Sequence, residues 1–277
     1  MAEAFDAETE IVPIRTSGDS RTSALGDKSR FVKEIEEALL TGGVDLAVHS
    51  AKDVPGQLPD GLEIAAVPPA EEPNDALVGA SSLEALPNGA RVGTSSLRRR
   101  SQLLAIRPDL DIAELRGNVD TRLAKLEGGG YDAIVLALAG LRRLGRDGEA
   151  GARLDPRRFV PAPGQGMLAL EIRTDDDRTR GFVERFDHRQ ARARLECERA
   201  VVTALGTSCR TPVGASSETD GGSIHAFAYV GLPDGSDWIT DSVEGDAADP
   251  AAVGRLLAER MLAAGARDLL SRAEAWV

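Results

Sequence analysis

The sequence predicts an α/β protein, built as two α/β lobes followed by a C-terminal α+β domain. Three observations carry this. Up to residue 173, short apolar runs alternate with stretches of helical period, the signature of strand–helix units. Breaks rich in Pro and Gly, Pro68–Pro73 and Phe159–Gly166, bracket the middle of the chain. After Arg189 the pattern changes to one long amphipathic helix, a hairpin and a terminal helix. The domains expected are 1–70 with 164–187, 71–163, and 188–277.

The elements follow in order. Glu10–Arg15 reads as a short strand and Thr16–Lys28, with Gly, Ser and Asp but no apolar period, as a loop. Phe31, Ile35, Ala38 and Leu39 recur at helical spacing, so 29–40 is an amphipathic helix stopped by Gly42-Gly43. Val44–His49 is a buried strand, and Ser50-Ala51-Lys52-Asp53-Val54-Pro55 a polar turn at its carboxyl end, where open α/β sheets bind ligands. Leu62–Val67 is the next strand. In the second lobe, Arg91–Thr94 is a strand, Ser95-Ser96 caps a helix over 97–106, and Asp111–Leu115 is a strand. Asn118 or Asp120 opens a helix ending at Gly128–Gly130, and Tyr131–Ala139 is a buried strand followed by a helical turn at 141–144. Met167–Arg173 is a strand and Arg189–Leu205 a helix. A cysteine-bearing loop, a hairpin (226–230 and 238–243) and a terminal helix over 250–273 complete the chain.

Composition narrows the function. The 277 residues carry 33 Lys+Arg against 45 Asp+Glu, a net charge of −12, so the long-range field repels nucleic acid and anionic membranes. The longest uncharged apolar run, Ala133–Leu141, is about half the length that crosses a bilayer, and no secretory pattern follows Met1. Two cysteines, Cys197 and Cys209, fit a reducing compartment and give no disulfide framework or four-cysteine zinc site. The expectation is a cytoplasmic monomer without a metal. Lysine occurs only at positions 28, 33, 52 and 125; every other cation is arginine.

In so acidic a chain, arginines grouped just past strands point to carboxylate or phosphate ligands, because guanidinium offers a bidentate fork. Arg98 and Arg99 follow Ser95-Ser96 at a helix start, which together make an anion cradle. Lys52-Asp53 places a carboxylate beside a cation, able to move a proton to an amine leaving group or to stabilise a cation. His49 is either a base or a strand-end histidine satisfying backbone groups. Cys209, beside Arg210, is a nucleophile or attachment site. Cys197, inside the long helix, is a small core residue.

These motifs together resemble the porphobilinogen deaminase (hydroxymethylbilane synthase) family. They are His49-Ser50-Ala51-Lys52-Asp53-Val54-Pro55, Gly93-Thr94-Ser95-Ser96-Leu97-Arg98-Arg99, Leu115-Arg116-Gly117-Asn118-Val119-Asp120-Thr121-Arg122-Leu123, Pro163-Gly164-Gln165-Gly166, and Cys209 before Pro212-Val213-Gly214, all in family order. The resemblance implies two lobes like those of periplasmic binding proteins and a third domain presenting the cysteine. It also implies a transferase of haem and sirohaem biosynthesis that joins four porphobilinogen units head to tail into hydroxymethylbilane. The chain would grow on a dipyrromethane cofactor held through Cys209. Asp53 would be the catalytic carboxylate, stabilising the azafulvenium cation formed when ammonia leaves. Lys52, Ser50, Thr94, Ser96, Arg98, Arg99 and Arg116 would hold the cofactor; Lys28, Phe31, Arg122, Arg143 and Gln165 would meet substrate.

The sequence departs from the family pattern in three places. The strand and Thr-Arg-x-Ser-x-Leu-Ala helix that usually precede the segment at Glu10–Arg15 are not in it, so the first lobe is expected to be N-terminally incomplete. Gly26-Asp27-Lys28-Ser29-Arg30 stands for the usual Gly-Gly-Lys-Gly-Leu, and Thr207-Ser208 for Gly-Gly before the cysteine. The first departure keeps two alternatives open, a non-catalytic carboxylate-binding module and an inactive truncated form.

Overall fold

The structure, a computed structural model, describes residues 8–14, 16, 32–207 and 211–276. The chain divides into two compact units, Met1–Pro69 with Met167–Arg192 and Ala70–Gly166 with Ala193–Val277.

In the first unit, helix α1 (Lys33–Leu40) precedes strand β1 (Ala47–Ser50) and strand β2 (Leu62–Ala66). Strand β8 (Leu168–Arg173) returns between them, antiparallel to both, in a three-stranded sheet of order β1-β8-β2. As the middle strand, β8 is covered on both faces. Leu170 and Ile172 pack with Ala66 and Val183 on one side, while Glu171 lies on the other. Helix α5 (Asp177–Val183), capped by the Asp176 side chain, was not foreseen from the sequence. The expected strand at Glu10–Arg15 is not formed. Residues 8–14 carry no ladder and Ile11 is 86% exposed, because an apolar segment becomes a strand only when a neighbour supplies hydrogen bonds. Arg15 lies outside the described residues.

The second unit opens with a strand that sequence reasoning missed, β3 (Asp75–Val78). Strands β4 (Arg91–Gly93), β5 (Asp111–Ala113), β6 (Ala133–Ala137) and β7 (Ala150–Arg153), the last also unforeseen, complete a mixed five-stranded sheet of order β5-β4-β6-β3-β7. β4 runs parallel to β5 and β6, whereas β3 is antiparallel to β6 and β7. Side-chain alternation fills both faces. Leu77, Ala133 and Val135 pack with Leu103 and Phe159, and Ala76, Ile134 and Leu136 with Leu115, Leu123 and Leu141. The apolar run at 133–139 is therefore strand only to Ala137; helix α4 (Leu138–Arg143) begins at once. Helix α2 (Leu97–Ile106) starts at the Ser96 cap and helix α3 (Val119–Glu127) at Asn118, whose side chain accepts the Thr121 N–H.

The α+β part begins with helix α6 (Arg189–Leu205), which straddles the boundary of the two units. Three antiparallel strands follow, β9 (Val213–Asp220), β10 (Ser223–Gly231) and β11 (Trp238–Asp246), in order β11-β10-β9. β9, for which sequence reading sets no bounds, pairs along nearly its whole length with β10. The terminal helix is two, α7 (Pro250–Ala263) and α8 (Ala266–Ala275), parted at Gly265, whose φ of +104° no helix accommodates. Val201 and Leu205 of α6, Ala226, Ala228 and Val230 of β10, Leu257 and Met261 of α7 and Leu269 of α8 form one core. Among the described residues no helix is long and apolar enough to cross a membrane.

Candidate active site

In the first unit the polar turn is a single 3-10 turn, Ala51–Asp53, at the end of β1. The Ala51 N–H donates to the Met167 carbonyl at 3.0 Å, and the Val54 N–H closes the turn on the Ala51 carbonyl. Ala51 and Val54 are buried, whereas Ser50, Lys52 and Asp53 are half-buried. The two buried residues root the turn and leave three polar side chains within reach of solvent. Behind it, His49 is buried with Nε2 2.8 Å from Glu171 Oε2. His49 thus pairs with a carboxylate rather than with backbone groups. The nearby Glu36 carboxyl is pushed up, first by burial and then by Glu171, against a smaller pull from His49.

In the second unit, the start of α2 offers hydroxyls and backbone groups. Ser96 accepts the Arg99 N–H, Thr94 Oγ1 accepts the Ser96 N–H at 3.1 Å, and Ser95 donates to the Leu115 carbonyl at 2.6 Å. The two arginines of the first turn point elsewhere. Arg98 and Arg99 are 5% and 6% exposed and converge on Asp75, which is wholly buried. Arg98 Nη1 lies 2.8 Å from Asp75 Oδ2, and Arg99 reaches Oδ1 through Nε at 3.0 Å and Nη2 at 2.7 Å. Burial pulls the Asp75 carboxyl upward, but the two guanidinium groups more than offset it and hold it well below the usual range. Gln165 joins them, its Nε2 donating to Asp75 Oδ1 at 3.0 Å and to the Pro73 carbonyl at 2.6 Å.

Further cations surround this cluster. Arg122 on α3 is half-buried, its Nε has no partner, and burial followed by the charge of Arg99 lowers its pKa. Arg143 donates from Nη2 to the Gly166 carbonyl at 2.9 Å, and its pKa is lowered by burial against the pull of Glu71. Gly166 has φ +87°, and a Cβ there would stand 2.5 Å from the Glu71 carbonyl oxygen, so this close approach requires glycine. Arg116 is more exposed and its Nε meets Glu114 at 2.7 Å.

Lys28, Phe31 and Cys209 lie outside the described residues. What flanks the cysteine loop is described. After buried Thr211, β9 is tied by the Ala215 N–H to the Pro161 carbonyl at 3.0 Å, and the adjacent Val160 carbonyl accepts from Arg98 Nη1 at 2.8 Å. The strand leaving the loop and the arginine pair thus share one anchor, Val160–Pro161. Cys197 is fully buried, and burial followed by Glu198 pushes its thiol up to about 12, which makes it inert. Glu198 is itself buried and accepts from Gly164 N at 2.7 Å and from Ser217 N and Oγ at 2.9 Å each. Neither Asp75 nor Glu198 was singled out from the sequence. Among the described residues no three His, Cys, Asp or Glu side chains gather as a metal site.

Two family models match the chain. Residues 1–181 match "Porphobilinogen deaminase, dipyromethane cofactor binding domain", and residues 193–263 match "Porphobilinogen deaminase, C-terminal domain". This chain belongs to the porphobilinogen deaminase family. Solved structures similar to it include YhfZ from Shigella flexneri, 22% identical over 66% of this chain and 81% of that one, with a TM-score of 0.31. A putative periplasmic sulfonate-binding protein from Methylobacillus flagellatus is 17% identical over 62% of this chain and 52% of that one, with a TM-score of 0.32. A periplasmic domain of Bordetella pertussis BvgS is 16% identical over 55% and 65%, also with a TM-score of 0.32. The chain thus spans about half the length of the sulfonate-binding protein.

The porphobilinogen deaminase residues present fit a carboxylated group. Asp75 matches one of the two charges of Arg98 and Arg99, Arg122 adds a third, and the buried Nε atoms of Arg98 and Arg122 have no partner. Buried donors left unpaired are costly, and the carboxylates of a dipyrromethane would offer acceptors to such a cluster.

Proposed function

We propose that this chain is a transferase of tetrapyrrole biosynthesis, which deaminates porphobilinogen and joins four units head to tail into hydroxymethylbilane. The observation that carries the reading is the cation surplus around Asp75 in a chain of net charge −12. Ser96, Thr94, Arg98, Arg99, Arg116, Ser50 and Lys52 would hold a dipyrromethane cofactor, with Arg122, Arg143, Gln165, Lys28 and Phe31 serving the substrate. Attachment falls to Cys209, since Cys197 is buried and its thiol stays protonated. The cofactor, when bound, supplies the nucleophilic pyrrole carbon on which the product grows.

The protein's own contribution is electrostatic. The Asp53 carboxylate holds the aminomethyl nitrogen of porphobilinogen as its ammonium, so that ammonia departs as the C–N bond breaks, and it faces the azafulvenium cation left behind. Such preorganised charge lowers a barrier by several kcal/mol, roughly 3–4 for one well-placed group. The arginines meet the acetate and propionate groups that every pyrrole brings. Domain division at 1–70 with 164–187, 71–163 and 188–277, a monomeric state and a cytoplasmic address belong to the same proposal.

The test is the intact mass of the purified chain beside Cys209→Ser and Cys197→Ser. The wild type and Cys197→Ser are expected to carry the mass of one dipyrromethane, and Cys209→Ser none. An unmodified wild type that releases no ammonia from porphobilinogen overturns the enzyme reading in favour of a carboxylate-binding module.

A further inference from the structure

We propose that Asp75 is a positioning residue of the anion site: from a wholly buried place it holds Arg98 through one nitrogen and Arg99 through two, and neutralises one of their two charges so that the other is left for a carboxylate ligand. The inference rests on the reading above that the site takes carboxylated pyrroles.

The carboxylate is fully engaged by its neighbours. Oδ1 accepts from Arg99 Nε, Arg99 Nη2 and Gln165 Nε2, and Oδ2 accepts from Arg98 Nη1. Each arginine also meets a backbone carbonyl, Arg98 through the same Nη1 on Val160 and Arg99 through Nη1 on Val135, both at 2.8 Å. Asp75 is held in turn by its own backbone. It opens β3, an interior strand of the five-stranded sheet, pairs with Ala137, and its carbonyl accepts the Leu154 N–H at 2.8 Å. Arg99 is thus held through all three of its nitrogens and Arg98 through Nη1.

The charge balance separates this arrangement from a structural ion pair. A buried pair kept only for packing closes at one cation to one anion, since an uncompensated buried charge is costly. Here two guanidinium groups meet one carboxylate, and Arg122 stands close enough to Arg99 for that charge to disfavour its own. The cluster also retains unpaired buried atoms, Nε of Arg98 and of Arg122 and Oε1 of Gln165. A neutral residue at position 75 would leave both arginines unmatched, and a second carboxylate would close the balance and remove the reason to bind an anion. One aspartate, reaching both, leaves the surplus.

The deciding variant is Asp75→Glu in the full chain, because Asp75→Asn leaves two buried cations unmatched and can unfold it. Glutamate keeps the charge but moves it by one methylene, which misplaces both forks. The expected result is a folded protein with a reduced fraction carrying the cofactor mass. Its KM for porphobilinogen should rise about tenfold, with kcat per loaded molecule within about threefold of wild type. A merely structural role lowers the folded yield and leaves KM and loading of the folded fraction unchanged; that outcome, or wild-type behaviour throughout, overturns the inference. If the wild type itself neither carries the mass nor releases ammonia, the functional reading falls and the inference falls with it.

Discussion

Replacing Glu198 by alanine tests whether the loop at 161–166 is held by one buried carboxylate. Glu198 takes three hydrogen bonds, from the Gly164 and Ser217 N–H groups and from the Ser217 hydroxyl. The hydroxyl has another acceptor in the Arg194 carbonyl at 3.3 Å, whereas both backbone donors are directed at Glu198. Each buried donor left unsatisfied costs about 1–3 kcal/mol, so their sum is about 2–6. Removing the carboxylate also relieves its own burial, which pushes the Glu198 carboxyl up despite Arg194 and the three donors. The net expectation is a loss of about 3 kcal/mol for Glu198→Ala and about 1–3 for Glu198→Gln, whose single amide oxygen still accepts on one side while its amide nitrogen faces the other backbone donor. Equilibrium urea unfolding measures both, with the slope unchanged if only stability moves. Because Gly164 adjoins Gln165, which donates to Asp75, the alanine variant should also raise KM for porphobilinogen. Glu198→Ala within 1 kcal/mol of wild type refutes the account.

Two further predictions concern charge. Asp53→Asn should leave cofactor loading and thermal midpoint unchanged while ammonia release falls by about a hundredfold or more, read by intact mass and a single-turnover assay; unchanged release removes Asp53 from the chemistry. Stability should depend on pH from both sides. The Asp75 carboxyl is depressed below its unfolded value of 3.8, so its contribution is present above that value and lost as pH falls below it. The Glu36 and Glu198 carboxyls are raised above their unfolded value of 4.5, so theirs is present below 4.5 and lost as pH rises through the folded value. Urea midpoints across pH should therefore show a shallow maximum, and Glu36→Gln should flatten its alkaline side; an unaltered alkaline slope would place the loss elsewhere.

Much of the fold was legible where local signals agree. Helices 97–106 and 189–205 have the bounds that apolar period and flanking residues indicate, and Asn118 resolves as the cap of α3. Strands fared less well because their hydrogen bonds come from elsewhere in the chain. Asp75–Val78 is a four-residue run, too short for its alternation to register, yet it is buried throughout between β6 and β7. Ile11 and Val12 have the β-branched composition of a strand and remain exposed without a ladder. The terminal helix was drawn through Gly265 because a single glycine costs a helix only about 1 kcal/mol, which is a weak stop signal until its positive φ is seen.

The candidate site divides along the same line, and the division bears on how arginine clusters should be read. Ser96, Arg98 and Arg99 can be picked from sequence as a helix-start anion cradle, and the structure does bring Arg98, Arg99 and Gln165 together. Sequence carries no sign of which way the guanidinium groups face. Their partner lies 23 and 24 residues away, at the head of a strand whose own placement depends on the sheet. An arginine turned to solvent and one locked on a buried aspartate are spelled alike, but the second is pre-paid in entropy and fixed in direction, which is what a site must offer to discriminate among carboxylates. A net charge of −12 conceals this, since the local balance around Asp75 is two cations against one anion. That balance is defined only once burial has decided which charges count.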